Sequence, residues 1–266
     1  MMRLFILPAG QVFAFIFPLL AVPPTIAAER EWAAAQQAAR EKDYELAVKK
    51  TTELINAGQK DSALFYHRGR WNFRLGQIND SLADFDRFIA EQPQLAPRLW
   101  ERGITCYYAE KFADGSKQFE QYQTYYSNDV ENAVWRYLCQ ARIDGREKAR
   151  QALLPIKFDG RIPMMEVYEL FRGKAKPDAV LKRLEATTAS GDEAREQRFN
   201  AHLYLALFHD SEGDLVKARR HLEEAVKQYQ AGHYMWAVAK QHQRHLRNRA
   251  QQQREDRIEK KDVPSN

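Results

Sequence analysis

Cysteine and histidine are scarce in this chain, with two and seven in 266 residues. No C-x-x-C, H-E-x-x-H, G-x-S-x-G or G-x-x-x-x-G-K stretch occurs, which excludes the common zinc frameworks, serine-hydrolase elbows and phosphate-cradling loops. Excess charge is scarce too. The 41 basic and 36 acidic residues leave +5, too mild a balance to indicate a nucleic-acid partner. What excess there is sits largely in "KQHQRHLRNRAQQQREDRIEKK" near the C-terminus, a polar helical stretch. Within it His242 and His245 stand three apart with no carboxylate at matching spacing, so they are expected to face solvent rather than to hold a metal. Asp84 and Asp86 point to different faces of a helix, and "FDGR" at 158–161 reads as a turn. The expectation is a chain that is not an enzyme, with no catalytic residue, metal or cofactor; a hydrolase with an unrecognised site is the weaker alternative.

Only one long uncharged apolar run is present, at the N-terminus. "MMRLFILPAGQVFAFIFPLLAVPPTIAAER" carries a single early charge, Arg3, then the apolar run, then Pro23 and Pro24 ahead of "TIAA". This order reads as a secretory signal peptide, residues 1–28, cleaved near Ala28. Retention as a membrane anchor is the competing reading, and Pro8, Gly10, Pro18, Pro23 and Pro24 argue against a stable spanning helix. The remaining chain is expected to be exported to the periplasm or cell envelope, touching a membrane only if the leader stays. No cysteine precedes Cys106, so a lipid-modified N-terminal cysteine is excluded. Cys106 and Cys139 read as small buried fillers rather than a disulfide pair.

What the sequence does have is a period. A shift of 34 residues lays Gly69 on Gly103, Ile78 on Phe112, Ser81 on Gly115, Phe85 on Phe119 and Phe88 on Tyr122. A backward shift puts Ala35, Tyr44, Ala47 and Leu54 in the same places. A small residue at position 8, an aromatic at 17, a small residue at 20 and an apolar one at 24 resemble the tetratricopeptide (TPR) repeat, a pair of helices that stacks on copies of itself. The expected fold is all-α, a TPR-type α-solenoid. Repeats fall at 28–61, 62–95 and 96–129, a degenerate copy at 132–155 and a further repeat at 199–232, where Ala206, Gly213, Leu215, Ala218, Leu222 and Ala225 fit. Between the last two lies an irregular helical insert, 156–198, in which Met164, Val167, Leu170 and Phe171 share one face. A capping helix from 233 closes the solenoid of residues 29–240, and 241–266 reads as a polar helical or disordered tail.

The order of a degenerate "AVWRYLCQARI" helix, the insert "MMEVYELFRGKAKPDAVLKRLEA", the full repeat "AHLYLALFHDSEGDLVKARRHLEEAV" and the closing "GHYMWAVAKQHQRHL" resembles the new lipoprotein I family of bacterial envelope TPR adaptors. That resemblance implies a non-catalytic scaffold that gathers cell-wall hydrolases and a processing protease, with a homodimer as one option. The chain departs from the family where a lipid-attachment cysteine is expected.

In a TPR superhelix the first helix of each pair lines a concave groove. Position 5 there is Trp32, Tyr66 and Trp100, an aromatic at each 34-residue step. Arg40, Arg70, Phe73, Arg74, Ile104, Tyr107 and Tyr108 join these three as candidate partner-binding residues. Aromatic and arginine side chains dominate binding hot spots, so the groove suits a protein or peptide with apolar anchors and some acidic residues. Packing between neighbouring helices is the competing role for the stripe. Position 9 is Gln36, Arg70 and Ile104, which lacks the lysine and asparagine set that clamps a C-terminal carboxylate. A self-associating structural element of the envelope is the alternative function, built on Tyr234, Met235, Trp236 and Val238 of the last helix.

Overall fold

The computed structural model describes residues 24–228 and 233–262. The leader expected over residues 1–28 lies outside them as far as residue 23. Helices pair in chain order: α1 (Pro24–Arg40) with α2 (Tyr44–Asn56), α3 (Ala63–Leu75) with α4 (Ile78–Glu91), and α5 (Trp100–Tyr108) with α6 (Phe112–Tyr125). Then come α7 (Val130–Asp144) and the short α8 (Arg146–Gln151), α9 (Met164–Phe171) and α10 (Pro177–Glu185), the pair α11 (Gly191–Ser211) and α12 (Leu215–Gln228), and α13 (Tyr234–Asp262). No strand occurs among the described residues, and none of their helices is long and apolar enough to cross a membrane. The fold is an all-helical, TPR-like solenoid.

Two local rules explain the period. The first is close approach: Gly69 faces the Phe85 ring and Gly103 the Phe119 ring, so that a Cβ on Gly103 would lie 2.6 Å from Phe119. Glycine on the first helix makes room for a phenylalanine sixteen residues later on the second, and both rings are fully buried. In the first pair the same two positions hold Ala35 and Thr51, also fully buried, so a larger residue on one helix accompanies a smaller one on the other. The second rule is the turn. Position 15 has positive φ in each regular pair: Lys42 (68°), Gly76 (84°), Glu110 (59°) and Gly213 (84°). Glycine takes this left-handed conformation without strain, whereas Lys42 and Glu110 must hold a Cβ against the following carbonyl.

A third repeated device joins the pairs. Arg68, Arg102 and Arg136 recur at 34-residue steps, and each reaches across to a neighbouring second helix. Arg68 grips Asp84 of its own pair at 2.6 and 2.9 Å and reaches Thr52 of the preceding one at 3.0 Å, Arg102 reaches Asp86 at 2.6 Å and Gln118 at 3.4 Å, and Arg136 holds Glu120 and donates to the Ala152 carbonyl at 2.6 Å. Asp84 is buried and is held in addition by Asn72.

The insert is part of the core: α9 and α10 pack on each other, on α7 and on α11, and Met164, Val167, Leu170 and Phe171 are fully buried there. Cys106 and Cys139 are free buried thiols that crowd the same side of Gly115. Burial raises the Cys106 pKa to about 12, which keeps it protonated and inert.

The last helix is more deeply buried than a polar tail would be. The cap expected from residue 233 and the tail expected from 241 form one continuous helix, whose Tyr234, Val238, His242 and Leu246 are buried at four-residue spacing. It packs along α12 and also lies against α3.

The turn and packing rules give opposite signs for two single changes. Glu110→Gly should stabilise the fold by about 0.5–1 kcal/mol by relieving the left-handed turn. Gly103→Ala should destabilise it by about 1–3 kcal/mol by overpacking against Phe119. Urea unfolding followed by circular dichroism measures both, and a stabilising Gly103→Ala would contradict the packing rule.

Candidate functional site: the concave groove

The groove residues divide into three groups. Phe73, Ile104, Tyr107 and Tyr108, expected to face a partner, are buried. The chain itself covers part of this set. Tyr234 stacks on Phe73 (5.2 Å between centroids, 22° between planes) and meets Trp100 edge-on at 5.2 Å. Tyr108 Oη lies 3.2 Å from His242 Nδ1 and 3.5 Å from the Val238 carbonyl, and both Tyr107 and Tyr108 contact the Trp135 ring. Arg244 Nη1 donates to the Arg74 carbonyl at 3.2 Å. The physical reason for the difference is that α13 has an apolar stripe of its own, and the concave face of α3 and α5 is where that stripe finds aromatic partners.

The second group anchors the helix. Arg70 lies over the Tyr234 ring at 5.0 Å and Arg74 over it at 5.1 Å, so two guanidiniums hold the start of α13. Arg70 also donates to Tyr66 Oη at 2.7 Å, Tyr66 donates to Glu101 Oε1 at 3.0 Å, and Arg70 stands 3.5 Å from that carboxylate. Burial raises the Glu101 and Tyr66 pKa values, and although burial opposes the Arg70 charge, Tyr66 and Glu101 hold its pKa above the ordinary guanidinium value. Glu101, second residue of α5, thus fixes an arginine that fixes α13.

The third group stays accessible. Trp32 is half-buried against His67 and Trp71, at 5.2 and 5.9 Å. Arg40 is exposed and donates to Gln37, and Trp100 is half-buried. The aromatic stripe at position 5 is therefore not one continuous wall. Trp32 belongs to a small cluster on α1, α2 and α3, whereas Trp100 lines a cavity of about 670 Å³ between α5, α7 and the start of α13. Arg70, Tyr122, Tyr126, Trp135 and Tyr234 share that cavity, and Tyr126 is exposed at it.

Its far rim was missed in the sequence. Arg161 reaches Asp129 at 2.7 Å, Glu131 at 2.8 Å and Asp159 at 2.6 Å, and Tyr204 donates to Glu131 at 2.6 Å. Three carboxylates on one guanidinium leave this rim acidic, opposite the basic Arg70. Burial raises the Glu131 pKa, while the Arg161 hydrogen bonds outweigh burial and lower that of Asp159. The only sequence signal for this rim was "FDGR", which is more than a turn: its Asp159 and Arg161 tie the insert to the start of α7.

His242 and His245, expected in solvent, lie against the groove as well. His242 is fully buried between Tyr108 of α5 and Asp210 of α11, and His245 stacks on it at 5.8 Å. His202, His209 and His221 meet on α11 and α12, with 3.0 Å between the Nδ1 atoms of the first and last. No group of three or more residues among those described has the arrangement of a metal site.

No protein-family model matches the chain. Among solved structures it is similar to a tetratricopeptide repeat protein from Parabacteroides merdae, with a TM-score of 0.51 and 13% identity over 82% of this chain and 83% of that one. It is also similar to MamA (residues 41 to the end) from Desulfovibrio magneticus RS-1, at a TM-score of 0.46 and 13% identity over 76% of this chain and 94% of that one. PilW, described as a widely conserved type IV pilus biogenesis factor, matches at 0.43 and 11% identity over 80% of this chain and 98% of its own. The first of these places the chain in the TPR-like class of helical solenoids.

Burial lowers the His242 pKa from 6.5 to about 4, with Asp210 opposing and His245 and Arg249 reinforcing the shift. The unfolded chain therefore binds this proton at higher pH than the folded one, so stability is full above about pH 6.5 and is lost as pH falls toward about 4. His221, lowered to about 4 as well, adds to the same slope. Thermal melts across that range should show a falling midpoint, with a shallower fall in His242→Gln; an unchanged slope in that variant would contradict the assignment.

Proposed function

We propose that the chain is a non-catalytic scaffold that binds protein or peptide partners through the open part of its concave groove. The observation that carries this reading is the cavity beside Trp100, with aromatic walls and rims of opposite charge at Arg70 and at Asp129, Glu131 and Arg161. Such walls offer large contact area at low entropic cost, and the two rims orient a bound segment. The TPR-like fold supports the reading, as does the lack of any motif for nucleophilic, metal or phosphate chemistry in the sequence.

The leader-like N-terminus and the resemblance of element order to the new lipoprotein I adaptors support an envelope location. Cell-wall hydrolases and a processing protease are then the first partners to look for. Because α13 covers Phe73 and Tyr108, a partner meets the groove at Trp32, Trp100 and Tyr126 rather than along its whole length.

The full chain, used as bait in an envelope extract beside a Trp32→Ala, Trp100→Ala, Tyr126→Ala variant of matching circular dichroism, tests this. Partners identified by mass spectrometry should be retained by the intact chain and released by the variant. Identical captures by both baits would remove the groove as the binding site.

A further inference from the structure

The positive charge of the chain is not spread over it. Residues 215–262 hold 12 of the 41 basic and 6 of the 36 acidic residues, a net +6 against +5 for the whole sequence. Everything outside α12, α13 and their junction is therefore close to neutral.

On these two helices Lys217, Lys227 and Arg249 are engaged by Asp214, Glu224 and Asp210. Arg219, Arg247 and Arg254 are exposed and form no ion pair among the described residues. They come together instead. Arg247, Ala250, Gln251 and Arg254 occupy one face of α13 at helical spacing, and with Arg219 of α12 they line an open concavity of about 430 Å³. Among its described lining residues there is no carboxylate, and Gln251 supplies a neutral polar group whose amide N–H is donated to Glu255 at 2.8 Å. Arg219 and Arg247 also line, with Leu222, Glu223 and Gln243, a smaller concavity of about 130 Å³. Burial and then the nearby Arg247 charge lower the Arg244 pKa.

We propose that the Arg219, Arg247 and Arg254 concavity binds a phosphate group. One guanidinium fork satisfies both oxygens of a carboxylate, whereas three guanidiniums around one space match the several oxygens and up to two charges of a phosphate. The aliphatic floor at Ala250 leaves room for the ester arm of a larger molecule. The group can come from a lipid headgroup on a membrane surface or from a soluble phosphate compound, and the two sources are separable by experiment. The site lies apart from the cavity beside Trp100 and does not rest on the adaptor reading.

The test uses the full chain and an Arg219→Gln, Arg247→Gln, Arg254→Gln variant with an unchanged thermal melt, so the N-terminal segment is common to both. Calorimetry with pyrophosphate and co-sedimentation with phosphatidylcholine vesicles, with and without phosphatidylglycerol, are run on each. The expected result is binding of at least one of the two probes that weakens by more than about tenfold in the variant, since each charge-assisted hydrogen bond contributes strongly. An Arg→Lys version of the same triple should recover part of it. Binding of pyrophosphate alone assigns a soluble source, and binding of anionic vesicles alone assigns the membrane. No binding of either probe, equal binding by the variant, or equal affinity for poly-glutamate would overturn the proposal, the last in favour of an acidic protein.

Discussion

The structure turns on one contact set, the seating of Tyr234 among Phe73, Trp100, Arg70 and Arg74. A stack of helix pairs leaves the concave faces of its first helices without a neighbour, and here those faces are strongly apolar. Without α13 the Phe73 and Tyr108 rings would lose their cover on that side, an exposed patch of the kind soluble proteins avoid. With it, the Tyr234 ring and the arginines above it join repeats that are far apart in sequence. The Arg70, Tyr66 and Glu101 chain then has a clear purpose: a buried carboxylate is tolerable only when its hydrogen bonds are satisfied, and this one holds the guanidinium that holds the helix.

Much of the solenoid was legible because the repeat rules are local. Gly69 with Phe85 and Gly103 with Phe119 recur at a fixed step because each glycine makes room for a ring, and a steric rule of that kind leaves a fixed imprint. The left-handed turn was half legible: Gly76 and Gly213 announce it, but Lys42 and Glu110 conceal it by tolerating the same φ at a cost. The arginines at 68, 102 and 136 share the period, and so do the positions they reach, each sixteen residues away: Thr52, Asp86 and Glu120 on one side, Asp84, Gln118 and the Ala152 carbonyl on the other; the residue types at those positions vary, which hides the cross-link in the sequence.

The groove was less legible. Tyr234, Val238, His242 and Leu246 mark an apolar stripe, but periodicity gives a face without naming what covers it, and α12 was the nearer partner in sequence. The acidic rim at Asp129, Glu131 and Asp159 depends on residues that meet across about thirty positions through Arg161, with only the "FDGR" turn as a sign. Charge distribution was legible in outline: the basic excess near the C-terminus was visible, though its concentration into one concavity requires α12 beside α13.

The most direct test of this account is amide hydrogen exchange on the full chain and on Tyr234→Ala. If α13 is the cover of the groove, α3 and α5 are strongly protected in the parent, and exchange quickens in α3, α5 and α13 of the variant while α1 and α2 are unchanged. Rapid exchange along α13 in the parent, or protection of α3 and α5 that ignores the loss of Tyr234, would contradict it.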